Sequence, residues 1–518
     1  MTGSGPITPA LSRRLASNLA ASLLAMGLRL PVTFLLTPFL LAALGDARFG
    51  TFGVLLSLLA YLNLAGGPLH SSTGREYAHA GLDAERRSRV LANALVTSTL
   101  VALLTAAIGF PLAGTLVDSM RVPAEFRAEA ILCYYTLIAA VLANQLATPL
   151  LGLLTSANRY DLIDLVPAVG QAVYAGLVVL AFTIRGPSLV LLGFANLAAQ
   201  VLWLLVLGGL SLRHLGGARI RRGALDWKEL KAVLGFSGEL LVINLSVLLT
   251  YQTDNIVISR LIGVAAVAHY TVASSLITRF RQISYGLSRT FMPATADPAT
   301  TPADRRELHF RGTRYSTLLV VIFGAVAAGL ATPFYERWLG PAYRASAGIF
   351  VLLVVANLFA MSQYVTNSVL TGLRHTRPLM VSEVVAALAN LGLSIAFVMA
   401  GLGLEGVALG TLVPMVLRNA WLAAHGARVV GAPLPRYLRG IYVPAAIVFV
   451  ATVAALRALA HVGWITGWPG LFAGGAVGLG LALLLARLLV LDAEDRRFMH
   501  AAFRARFLAR PAPDAGAE

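Results

Sequence analysis

Gly238-ELLVINLSVLLTYQTDNIVISRLIGVAAVAHYTVASSLITRFRQISYGLSRTFM-Pro293 is the stretch that decides the fold. It reads as a helical hairpin: Leu240 to Ser259 runs out, Arg260-Leu-Ile-Gly-Val264 turns, and Ala265 to Met292 returns. Both arms are apolar enough to lie in lipid, yet they carry Asn244, Gln252, Asp254, Arg279, Arg281 and Gln282. Ionisable groups at membrane depth are costly and face a protein interior or a wet cavity, so the hairpin is the first place to look for function. Ser275, Arg279, Gln282, Gly286 and Arg289 follow one another at helical spacing and share one face of the returning arm. That face is expected to line a cavity.

The rest of the chain fits a membrane setting. Of its 518 residues, 58% are hydrophobic and 13% charged, and mean hydropathy is +0.76. Ordinary soluble domains carry about 25% charged residues. Apolar runs near the ~20 residues that cross a bilayer begin at Leu15, Phe49, Val90, Ile131, Leu162, Ser188, Leu234, Val264, Tyr315, Ala345, Leu379, Leu404, Ile441 and Trp468. The expected fold is therefore all-α, a polytopic membrane protein with fourteen transmembrane helices and no soluble domain between them.

A net charge of +17 would suggest nucleic acid in a soluble protein. Here roughly four of every five Lys and Arg fall in alternate connections, the positive-inside bias that assigns both termini to the cytoplasm. No basic, aromatic-interleaved surface is left over for nucleic acid. Cys133 is the only cysteine, which excludes an intramolecular disulfide, and its setting Ile-Leu-Cys-Tyr-Tyr makes it a small buried hydrophobe. Arg13-Arg14 before an apolar run has the look of a cleavable signal, but the run continues to Leu44 with Arg29 inside it. That exceeds a signal core of about 7 to 15 residues, so it is read as the first span. Asn18, Ser22, Arg29, Thr33 and Thr37 recur along it at helical spacing, marking a cavity-lining helix.

The second half echoes the first. The outside-turn glycine Gly45 recurs as Gly263 and the inside-turn threonine Thr155 as Thr371, in each case roughly 217 residues on. Six spans is an even number, so the two copies are parallel and a cleft lies between them. The chain divides into an N-terminal six-helix lobe over 1–212, a basic cytoplasmic connector over 213–232, a C-terminal six-helix lobe over 233–425, and an appended helix pair over 438–491. A basic interfacial helix and a disordered tail follow over 492–518.

The run Thr253-Asp-Asn-Ile-Val-Ile-Ser-Arg-Leu-Ile-Gly-Val-Ala-Ala-Val-Ala-His-Tyr270 resembles the signature of the polysaccharide transporters. These are Wzx-type flippases for lipid-linked sugar units, within the multidrug/oligosaccharidyl-lipid/polysaccharide exporter superfamily. The likeness covers about residues 15 to 425 and departs from the pattern at Phe49-Gly50, where a tyrosine usually precedes the glycine. It implies two six-helix lobes around a V-shaped cavity that opens alternately to the two sides of the cytoplasmic membrane. It also implies a monomer whose substrate is a polyprenyl-pyrophosphate oligosaccharide, working among membrane lipids and other polysaccharide assembly proteins. The product would be lipopolysaccharide O-antigen, capsule or exopolysaccharide. No cofactor is implied beyond coupling to Na⁺ or H⁺.

The chemistry suits that role. Arginine's planar fork binds phosphate oxygens at two points. Arg29 lies roughly 21 Å into the first span and Arg279 roughly 22 Å into the eighth, at 1.5 Å per residue, which puts both near the bilayer middle. The related lipid II flippases place arginines in the same two spans. The expected substrate-binding set is Arg29, Arg279, Arg75, Arg281, Gln282 and Arg289; Arg281, about 200° round the helix from Arg279, could instead bond a neighbouring helix. Asp254 either holds a coupling cation or pairs with an arginine. Asp161, Asp164 and Glu383 lie near helix ends and read as structural charges.

Three other classes compete: an enzyme, a multidrug exporter and a purely structural scaffold, against the last of which the two central arginines, Arg29 and Arg279, argue. A membrane glycosyltransferase or polymerase needs an acid-bearing outside loop with room for donor and acceptor, whereas every outside loop here is short and no metal-ligand cluster or nucleophile-base pair stands out. The chain is thus expected not to be an enzyme. A cation-coupled multidrug exporter of the same superfamily is the alternative, but exporters of cationic drugs have acid-rich cavities and this one is lined by arginine.

Overall fold

The computed structural model describes residues 9–64, 66–215, 217–218, 226–288, 300–373, 375–492 and 495. Among them the regular structure is helical throughout. The helices are α1 Pro9–Leu62, α2 Gly66–His79, α3 Ala84–Ser119, α4 Arg127–Ser156, α5 Tyr160–Arg185, α6 Leu189–Leu212, α7 Trp227–Leu261 and α8 Val264–Ser288. They continue as α9 Pro302–Gly329, α10 Ala331–Leu339, α11 Arg344–Ser362, α12 Tyr364–Gly372, α13 Thr376–Phe397, α14 Gly403–Val429, α15 Val443–His461 and α16 Gly467–Leu489. Eleven helical runs among the described residues are long and apolar enough to cross a membrane, so the chain is a multi-pass membrane protein.

The runs relate to the expected spans in an instructive way. The outside turn expected at Gly45 is one residue long: only Gly45 leaves the helical region (φ 72), so α1 holds two expected spans, an inner arm over 9–44 and an outer arm over 46–62. Gly401 (φ 88) makes a similar corner between α13 and α14. A Cβ strains such conformations, and glycine avoids the cost. The hairpin that opened the reading is present as α7 and α8, joined by Ile262 and Gly263. Of the two, α7 is long and apolar enough to cross a membrane, and α8 is the more polar.

Helix starts follow local chemistry. Asp83 accepts the Glu85 and Arg86 amide N–H groups, each at 3.0 Å, and caps α3. These same bonds draw the Asp83 carboxyl below its usual range. Thr301 accepts from the Asp304 N–H at 3.2 Å and caps α9, with Pro302 at the first helical position.

Contacts group the chain into two units, Met1–Val272 with Met380–Thr411 and Ala273–Leu379 with Leu412–Glu518, whose boundaries fall inside α8, α13 and α14. In the first unit α4 packs against α2, α3 and α6, while α1 packs against α5 and α7. Tyr77, Leu91 and Leu153 form one buried cluster and Ala147, Leu154 and Leu207 another. Cys133 is fully buried, as its apolar setting predicted. In the second unit α9 is the centre: it packs against α11, α15 and α16. Val448, Ala482 and Ala486 close over Leu318 and Val321 there. The basic connector is described only in part, and the terminal basic helix and tail lie outside the described residues apart from Asp492 and Asp495.

Candidate functional site

Local sequence shapes the first unit's polar features. On α1, Thr33 Oγ1 donates to the Arg29 carbonyl at 3.0 Å and Thr37 Oγ1 to the Thr33 carbonyl at 2.8 Å. The arginine thus sits on a ladder of back-bonded threonines. Its Nη2 donates to the Asp164 carbonyl of α5 at 2.9 Å, and the side chain is half-buried. A guanidinium has five donors, so this bond, the one its side chain makes among the described residues, leaves donors over for an anion.

Asp254 lies in a buried polar cluster that the sequence did not assemble. Its Oδ2 accepts from the Tyr270 hydroxyl and, at 3.1 Å, from the Thr411 hydroxyl. Asn390 Nδ2 donates to Thr411 Oγ1 at 2.8 Å. Asp254 is 3% exposed, and Tyr270, Asn390 and Thr411 are each 1% exposed. Asp254 Oδ1 and Asn390 Oδ1 are buried with no hydrogen-bond partner among the described residues. Of the two readings open for Asp254, pairing with an arginine is not what the structure has: among the described residues no Lys, Arg or His pairs with it. A buried carboxylate costs too much to stand alone, so its charge calls for a proton or a small cation. Hard oxygen donors of this kind suit such an ion. No three His, Cys, Asp or Glu side chains group as a metal site among the described residues.

Beside this cluster the outer arm of α1 meets α7 and α8 along a close seam. Ser57 Oγ donates to Gln252 Oε1 at 3.0 Å, Asn255 Nδ2 donates to Ser57 Oγ at 2.9 Å, and the Tyr61 hydroxyl donates to the Leu248 carbonyl at 3.1 Å. Gly50, Ser57 and Tyr61 recur at helical spacing on one face, the signal by which the seam could have been found in sequence.

The other expected site residues fall in either unit or outside the described residues. Arg75, on α2 in the first unit, pairs with adjacent Glu76 at 2.9 Å and is 41% exposed. Arg279 and Arg281 fall in the part of α8 that belongs to the second unit, and both are half-buried. Gln282 is helical with its side chain outside the described set, and Arg289 lies outside the described residues altogether. Asp161 is bonded by Arg159 at 2.9 Å, the structural role expected of it.

Helices in this order, most of them long and apolar enough to cross a membrane, define a polytopic membrane protein. Residues 85–348 match the family model described as polysaccharide biosynthesis protein, and the chain belongs to that family. Over 507 residues it is 25% identical to the uncharacterized membrane protein EpsK of Bacillus subtilis (strain 168), covering 94% of this chain and 97% of that one. Its fold is similar to that of the lipid II flippase MurJ in an inward closed conformation, with a TM-score of 0.72 at 12% identity over 93% of this chain and 99% of the other. An inward-facing multidrug resistance MATE family transporter of the MOP superfamily gives a TM-score of 0.61 at 15% identity, over 80% and 98%.

Proposed function

We propose that this chain is a flippase that moves a polyprenyl-pyrophosphate oligosaccharide across the cytoplasmic membrane by alternating access, for cell-surface polysaccharide assembly. The observation that carries this reading is Arg29: a half-buried guanidinium in the middle of an apolar helix, anchored by one bond to the Asp164 carbonyl. A central arginine costs about 2.5 to 3.5 kcal/mol to insert, and an anion bound by the donors that the Asp164 carbonyl leaves over would offset that cost. Membership of a polysaccharide biosynthesis family supports a sugar-bearing one. In this reading Arg29 and Arg279 each bind phosphate oxygens, and Arg75, Arg281, Gln282 and Arg289 contribute along the path. The protein acts as a monomer, with both termini in the cytoplasm.

The Asp254 cluster supplies the coupling. A Na⁺ or H⁺ bound there compensates the carboxylate, and its release leaves a charge the buried cluster cannot tolerate. Loading and unloading therefore shift the balance between two conformations. The multidrug exporter reading keeps one support, the fold it shares with MATE transporters.

Deletion tests the proposal once redundant flippases are removed. Surface glycan should disappear while lipid-linked units accumulate facing the cytoplasm. A deleted strain that keeps its glycan and becomes sensitive to cationic dyes transfers the assignment to the drug exporter. For the termini, Leu82→Cys and Glu125→Cys in a Cys133→Ala background should label differently from outside, Glu125→Cys alone reacting with an impermeant thiol reagent.

A further inference from the structure

Inside the first unit, between the outer arm of α1 and helices α4, α5 and α6, lie two cavities of about 200 and 220 Å³. They share Asn144, Asn196 and Gln200 in their walls and so adjoin one another. Asn63 completes the polar lining of one, and Gln171, Tyr174 and Trp203 that of the other. Among the described residues, none that lines either cavity is charged. Asn196, Gln200 and Trp203 are spaced four and three apart on α6, and Gln171 and Tyr174 three apart on α5, so each helix presents one polar face to the space.

This lining is incomplete by itself. Trp203 Nε1, the Tyr174 hydroxyl and Asn63 Oδ1 are buried without a hydrogen-bond partner among the described residues, and Trp203 is only 9% exposed. Buried donors and acceptors of this kind are satisfied in nearly every protein by something, here a ligand or water. Primary amides offer donor and acceptor side by side, the arrangement that fits neighbouring hydroxyls on a sugar ring. Indole and phenol rings add an apolar face for the ring's C–H groups. Gln171 Nε2 also donates to Thr33 Oγ1 at 3.2 Å, and Thr33 bonds the Arg29 carbonyl. The chamber is thereby tied to the helical turn that carries the phosphate-binding arginine.

We propose that this amide-lined chamber is the glycan subsite, receiving the hydroxyls of neutral sugar units while Arg29 holds the phosphate next to them. The assignment rests on the flippase reading and adds a substrate preference: uncharged sugars rather than uronic acids at this position, because the described lining is made of amides and rings without a cation.

The test uses the full-length protein in lipid nanodiscs and two probes, bare undecaprenyl pyrophosphate and the lipid-linked oligosaccharide pool extracted from the deleted strain. Wild type should bind the glycan-bearing lipid more tightly. Asn144→Leu, Gln200→Leu and Trp203→Phe, the last keeping an aromatic ring in place, should each weaken it about tenfold, the effect of one or two neutral hydrogen bonds. Bare undecaprenyl pyrophosphate should bind these variants as it binds wild type, whereas Arg29→Ala should weaken both probes. Wild-type affinity of all three variants for the glycan-bearing lipid overturns the subsite and leaves the flippase reading intact, as does equal weakening of both probes. A wild-type protein that binds neither probe removes the flippase reading and the subsite together.

Discussion

Gly50 on the outer arm of α1 approaches α8 so closely that a Cβ added to it would stand 1.8 Å from the Val264 carbonyl oxygen. The obstacle is backbone, which cannot rotate away. Gly50→Ala should therefore cost about 1–3 kcal/mol, the range for overpacking a close-packed interior, and Gly50→Val more. Thermal unfolding of the purified protein followed by size-exclusion fluorescence reads this directly. A Gly50→Val protein that melts with wild type would show that the two helices do not touch there.

The arginines separate charge from geometry. Arg279→Lys keeps the charge but loses the two-point fork, so it should transport less than wild type and more than Arg279→Ala. Arg281→Ala, on another face of α8, should be milder. Surface glycan at matched membrane expression measures the series. Normal glycan with Arg279→Ala excludes the phosphate role, and a larger defect at Arg281 moves that role to the other face.

Asp254→Asn keeps the shape of the buried cluster with Tyr270 and Thr411 while removing the charge that calls for an ion. The expected phenotype is a folded protein whose translocation no longer responds to an imposed Na⁺ or pH gradient and falls about tenfold or more, the effect of losing roughly 1.4 kcal/mol of coupling. Proteoliposomes with and without each gradient distinguish the two ions. A gradient that still accelerates the Asp254→Asn protein places the coupling elsewhere.

In the second unit Arg314 clasps the two aspartates that follow α16. It bonds Asp495 and, at 2.9 Å, Asp492, and its guanidinium lies 4.6 Å from the centre of the Phe310 ring. Tyr315 donates to the other Asp495 oxygen at 2.6 Å. Asp495 is fully buried, so Arg314→Gln leaves an uncompensated carboxylate and should cost about 3–5 kcal/mol, with much of the loss recovered by adding Asp495→Asn. The Arg314 bond holds the exposed Asp492 carboxyl down at about 2. Since its folded value is lowered, that contribution is present above the ordinary carboxylate value of about 3.9 and is lost as pH falls toward 2. Melting in detergent should thus show the same Arg314→Gln defect at pH 5 as at pH 7.

The membrane class, the hairpin and most helix boundaries were legible in the chain because apolar periodicity, caps and glycine corners act within a few residues. Arg29 stood out for the same reason, as a costly charge in an apolar run. What the tertiary structure alone decided are meetings of distant residues: Asp254 with Thr411 and Asn390, Gly50 with Val264, and Asn144 with Asn196 and Gln200 around one chamber. Each of these is a single polar or small residue in an otherwise apolar helix, and its partner is set by which helix faces it. No local pattern records that choice. It follows from close packing, where a missing Cβ or an unbonded amide is satisfied only by the helix that happens to lie against it.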